Sequence, residues 1–209
     1  GRMEVTASFP ARVLGPMGGK EKLQREIEQA MGEVDELQLD ALEIDVAGDE
    51  VTLHLKASAE SMLDLLDLTK EGSDALTSLP PSAKHFMGDV EVKLDGTDVT
   101  MSRVMNLKHG FGLAALGIGR DDRENKHVTY VVHLPIEATD HNATRTENGA
   151  RTLIWEHTLG EALTAPIELR FRTPLPIPWI MIALVAVGLI ALVVGFIWWR
   201  RKRRRKRNA

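Results

Sequence analysis

The chain contains no cysteine, so it forms no disulfide, offers no thiolate nucleophile, and leaves its redox compartment unmarked. It also lacks the usual signatures of catalysis. No G-x-S-x-G elbow surrounds Ser82 or Ser102, so neither is exposed as a nucleophile beside His133 and Asp140. Seven histidines are present, but His127, His133, His141 and His157 share no tight metal-ligand spacing, and no thiolate supplements them. The glycines of GFGLAALGIG, residues 110–119, miss the G-x-G-x-x-G spacing that cradles a dinucleotide pyrophosphate. Carboxylates are plentiful, and in a strongly acidic chain they read as solvated faces. The expectation is a protein that is not an enzyme and needs no metal or cofactor.

One further absence organises the molecule. Residues 177–199, IPWIMIALVAVGLIALVVGFIWW, carry no charge. As a helix this run would be about 34 Å long, enough to cross a bilayer core of about 30 Å. Trp179 opens it and Trp198 and Trp199 close it, where amphipathic rings meet the two headgroup layers. Residues 200–207 then read RRKRRRKR, and Arg200, Arg201, Lys202 and Arg203 fall at the membrane interface. Positive-inside bias keeps this tail in the cytoplasm, gripping anionic headgroups at about 1 kcal/mol per residue. The expected localisation is therefore the cell membrane, single-pass, with the N-terminal domain extracytoplasmic and membrane lipids as partners.

Setting aside those eight tail charges leaves 18 Lys and Arg against 30 Asp and Glu, a formal charge of −12. That excludes nucleic acid as a partner and keeps the domain off an anionic bilayer unless a cation or an apolar patch bridges the gap. An exported domain needs a signal, yet Gly1-Arg2-Met3 begins no apolar run. The expectation is that a segment has been removed, one version being a lipidated cysteine just before Gly1, or that this start is artificial.

Within residues 1–173 the patterning is mixed. Residues 3–9 alternate as a strand that Pro10 ends. Leu23, Ile27, Ala30, Met31, Val34 and Leu37 recur at helical spacing. Leu42, Ile44 and Val46 turn through Gly48-Asp49 into Val51, Leu53 and Leu55 as a hairpin with one wet face. Ser58 is placed to cap a second helix bearing Met62, Leu65 and Leu66. A second hairpin turns at Asp95-Gly96, and its alternation slips between Met101 and Val104, which predicts a bulge. Val128, Tyr130, Val132 and Leu134 line another strand, residues 142–146 pair with 151–155 as a third hairpin, and residues 167–172 alternate as the last strand. The fold class expected is α+β: one mostly antiparallel sheet with two helices on one face, followed by a single C-terminal transmembrane helix. Pro174, Pro176 and Pro178 make 174–178 a stiff spacer between the domain and the span, and 200–209 form the basic tail.

Three stretches, Val131-Val132-His133-Leu134-Pro135, His141-Asn142-Ala143-Thr144 and residues 148–155 (NGARTLIW), together with the basic-flanked C-terminal helix, resemble the LppM-like family of bacterial envelope proteins. The resemblance implies a secreted lipoprotein with one α+β domain, a C-terminal span and envelope lipid or glycolipid binding. It brings no catalytic motif. The sequence departs from the family in lacking a lipobox cysteine.

The least ordinary segment is 110–119, where glycines interrupt Phe111, Leu113, Leu116 and Ile118. Those four apolar residues suit either a loop folded over the core or one that meets lipid or a partner. Asn142-Ala143-Thr144 also matches the short glycosylation pattern. In the span, Leu184, Gly188, Ala191 and Gly195 fall on one helix face whose small residues admit a neighbouring helix, implying a membrane-protein partner. Two functions are expected: an accessory or structural subunit of an envelope membrane assembly, or an extracytoplasmic lipid- or glycolipid-binding protein.

Overall fold

The computed structural model describes residues 1–32, 38–59 and 88–175. Strand β1 (Arg2–Pro10) lies centrally, antiparallel to β3 (Glu50–Ser58) on one side and to β6 (His127–His133) on the other. Outward from these lie β2 (Gln38–Ala47) and, on the far side, β9 (Thr152–Thr158) and the short β8 (Arg145–Glu147), giving the order β2-β3-β1-β6-β9-β8. The alternation in β1 has a direct cause. Met3, Val5, Ala7 and Phe9 share the face of Leu55, Leu53 and Val51 across the β3 register, whereas Glu4, Thr6 and Ser8 join Lys56, His54 and Thr52 on the polar face.

The expected single sheet is instead two. β4 (Asp89–Asp95), β5 (Asp98–Met105), β10 (Ile167–Pro174) and β7 (Asp140–His141) form a separate antiparallel sheet in the order β4-β5-β10-β7. Inward residues of both sheets, among them Val128, Tyr130 and Trp155 from the first and Met105, Leu169 and Phe171 from the second, merge into one core. The chain changes sheet within three residues, from His141 in β7 to Arg145 in β8, so the third hairpin retains only Arg145–Glu147 opposite Thr152–Ile154. This switch is invisible to strand periodicity, because it depends on hydrogen bonds to residues far along the chain.

Helix α1 (Lys20–Gly32) buries Leu23 and Met31, with Met31 packed on Leu55 and Ala57 of β3. Val34 and Leu37 lie outside the described residues, as does the second expected helix with Met62, Leu65 and Leu66. Ser58 itself remains in β3, and its hydroxyl donates to Asp40 Oδ1 at 3.0 Å. The described residues also form three short α-helices: α2 (Leu107–Phe111), α3 (Arg120–Asn125) and α4 (Leu159–Thr164). Thr158 caps α4 by accepting from Glu161 N–H while the Glu161 carboxylate accepts from Thr158 N–H, and this reciprocal pair holds the Glu161 pKa below the usual carboxylate value.

No bulge interrupts β5. Its register with both β4 and β10 is continuous, and Val99, Met101, Arg103 and Met105 all face inward while Val104 is exposed. The slip in hydropathy came from an arginine at an inward position. The register does shift elsewhere, in β2 between Leu39 and Ala41. At the chain's far end, β10 runs through Pro174 and the Leu175 N–H donates to Thr97 O at 2.7 Å, so the compact unit extends from Gly1 to Leu175.

Candidate functional site

The segment between β5 and α3 is built from outside as well as from within. Asn106 caps α2 by accepting from His109 N–H, and Phe111 then enters the core edge-on to Phe9, with ring centroids 5.6 Å apart. At Gly112 the backbone turns to φ 53° and ψ −130°, a conformation that a side chain strongly opposes. A 3-10 turn over Gly112–Gly117 follows. Its three-residue period separates the side chains: Ala114 and Ala115 point into the core, while Leu113 and Leu116 align on the opposite side. Two arginines then hold its carbonyls. Arg12 Nε donates to Gly117 O at 3.0 Å, and Arg123 donates from Nε to Ile118 O at 3.1 Å and from Nη2 to Ala115 O at 3.4 Å. Arg12 also pairs with Asp122 and lies 3.8 Å from Asp49.

The four apolar residues singled out in the sequence therefore divide. Phe111 is 6% exposed and Ile118 3%, so both are core anchors and not contact residues. Leu113 is 84% exposed and Leu116 81%. Hydropathy alone gives these four residues the same character, and only the turn's period distinguishes them. The paired alanines between the leucines were the available signal. The remaining sequence candidates, Leu184, Gly188, Ala191, Gly195, Trp179, Trp198, Trp199, Arg200, Arg201, Lys202 and Arg203, lie outside the described residues. Among those described, no helix is long and apolar enough to cross a membrane.

The tip sits at a defined end of the domain. β5 rises from Asp98 to Met105 and leads directly into α2, whereas β10 descends from Ile167, opposite Met105, to Pro174, opposite Asp98. Leu175, bonded to Thr97, thus lies at the other end of a strand pair about 24 Å long.

A second group lies between the layers. Arg103 is 7% exposed and Tyr130 4%, and Arg103 Nη1 lies 2.9 Å from Met3 Sδ. Burial lowers the Arg103 pKa, an effect the Tyr130 hydroxyl partly opposes. Burial likewise pushes the Tyr130 phenol up to about 12, with the nearby guanidinium acting against it. Around them Met3, Val5, Leu53, Met101 and Val132 are only partly buried despite facing inward.

Asn142 is a structural joint. Its Oδ1 accepts from Trp155 Nε1 at 2.9 Å and from Arg170 N at 2.7 Å, and its Nδ2 donates to Glu168 O at 2.9 Å, tying the two sheets together at the point where the chain crosses. Thr144 Oγ1 accepts from Glu156 N. The amide that a glycosylation acceptor must offer is thus engaged in the fold. His133 rests on Thr152 and Glu4 in the first sheet, while Asp140 lies near Arg170 in the second, so the His133-Asp140 part of a hydrolytic grouping is not assembled. Among the described residues no three His, Asp or Glu side chains gather as a metal site.

No family model and no curated protein sequence matches the chain. Among solved structures it is similar to the NMR structure of the folded domain of the Mycobacterium tuberculosis LppM protein. The two are 16% identical with a TM-score of 0.37, over 66% of this chain and 65% of that one.

Proposed function

We propose that this chain is a non-catalytic, membrane-anchored envelope protein with an extracytoplasmic domain, acting as an accessory or structural subunit of a membrane assembly. The observation that carries the subunit role is in the sequence: within the uncharged run 177–199, Leu184, Gly188, Ala191 and Gly195 recur at helical spacing as a small-residue seam for a membrane-protein partner. Leu113 and Leu116, held in solvent on a turn fixed by Phe111, Ile118, Arg12 and Arg123, form a separate contact surface. The uncharged run 177–199 and the basic run 200–207 support the anchor and its orientation. Extraction in mild detergent should yield a defined assembly larger than the monomer. A clean monomer from native membranes would reject the subunit role.

A second reading is supported by the interior. An arginine and a tyrosine buried among incompletely covered apolar side chains are the ingredients of a site for an amphiphile with an acidic headgroup. Mass spectrometry of the purified protein should then find a stoichiometric lipid that is absent from the Arg103→Met variant. A lipid-free preparation would remove this reading.

A further inference from the structure

The geometry points to a lipid surface as the component met by the Leu113/Leu116 tip: an anionic phospholipid bilayer lying on the far side of the domain from Leu175. The inference rests on the membrane-anchored part of the proposed function and deepens it by naming the chemistry of the contact. Three observations favour lipid over a protein partner. The first is size, since two leucines present a few hundred Å² at most, well short of the roughly 1,000 Å² that a stable protein interface requires. A bilayer sets no such threshold, because leucines enter the acyl boundary one at a time.

The second is charge. Residues 106–119 contain Lys108 and His109 and no carboxylate, in a domain whose formal charge is −12. On the α3 turn that follows, Asp122 is paired with Arg12 and Glu124 with Arg120 at 2.9 Å, leaving Asp121 as the acid outside these pairs. Among the described residues the tip is therefore a place where an acidic domain can approach an anionic surface without strong repulsion. The third is position: the segment bearing Leu113 and Leu116 follows Met105, at the opposite end of the β5–β10 pair from Leu175.

The test uses the full chain incorporated through its C-terminal run into phosphatidylcholine nanodiscs, so that incorporation reports on the anchor separately from the tip. Because the chain has no cysteine, a single Gly117→Cys substitution takes one environment-sensitive fluorophore, and a side chain added at Gly117 meets open space. Vesicles of phosphatidylcholine doped with phosphatidylglycerol should bind the nanodiscs and shift the emission to the blue, whereas a Thr97→Cys label at the opposite end should not respond. Leu113→Ser with Leu116→Ser should weaken vesicle binding by about a hundredfold, roughly tenfold for each leucine. Lys108→Glu should weaken it by about fivefold or more and reduce the preference for anionic lipid. Efficient incorporation without vesicle binding, unchanged binding by the double serine variant, or a response at residue 97 in place of 117 would each overturn the inference. Failure to incorporate would overturn the anchored reading on which it rests.

Discussion

Replacing Asn142 with alanine should loosen the joint between the sheets by an amount that can be worked from its three bonds. The Trp155 side chain is 1% exposed, so removing Oδ1 leaves its indole N–H buried without its acceptor, which costs about 1–3 kcal/mol. The Arg170 N–H and the Glu168 carbonyl lie beside an exposed Asn142, where water can replace the lost amide, and each adds about 0.5 kcal/mol. The sum is about 3 kcal/mol, or a fall of about 6–12 °C in Tm for a domain of this size. Calorimetry of the full chain in detergent measures it. A double-mutant cycle with Trp155→Phe, which keeps an aromatic ring and deletes the donor, should return a coupling of about 1–2 kcal/mol. A loss under about 1 kcal/mol, or additive single effects, would refute the idea that this side chain joins the sheets.

Other consequences follow from the interior and the caps. Tyr130 is the chain's one tyrosine, so its ionisation is read directly from ultraviolet absorbance and should have a midpoint near 12. Its folded pKa lies above the unfolded value, so its contribution to stability is complete below pH 10 and is lost as pH rises from 10 through about 12, by roughly 3 kcal/mol. A midpoint at 10 in the folded protein would contradict the burial. Arg103→Ala should lose about 3 kcal/mol or more in chemical denaturation, through the cavity it opens and the contacts of the buried guanidinium that it removes. Thr158→Ala should cost about 1 kcal/mol and remove the α4 contribution that, because the Glu161 pKa is depressed in the fold, weakens as pH falls through that pKa. Gly88→Ala should destabilise the start of β4 measurably, because Gly88 has φ +71° and its new methyl would run into the Val104 carbonyl.

Local structure was well written in the sequence. The β2-β3 and β4-β5 hairpins declared themselves through alternation and through Gly48 and Gly96, both at positive φ. β1 and β10 were equally plain from their alternation, which in β10 separates the buried Ile167, Leu169 and Phe171 from the exposed Glu168 and Arg170. What escaped was whatever depended on distant residues. The division into two sheets turns on Asn142 reaching Trp155, Glu168 and Arg170, and no local pattern reports a bond across 26 or 28 positions. Arg103 did leave a signal, the broken alternation in β5, but an inward charged residue and a bulge disturb hydropathy in the same way. At the tip, Phe111, Leu113, Leu116 and Ile118 are alike in hydropathy. Recognising a 3-10 turn by its paired alanines would have separated the leucines from the anchors, while the contributions of Arg12 and Arg123 could come only from the fold.

All of the functional reading depends on the tip and the basic tail facing opposite compartments. Single cysteines placed by Gly117→Cys and Asn208→Cys, in a chain that has none of its own, can be probed in sealed spheroplasts with a membrane-impermeant maleimide. The expected result is immediate labelling at 117 and protection at 208 until the membrane is opened. Labelling of both positions from outside, or of 208 alone, would contradict the account.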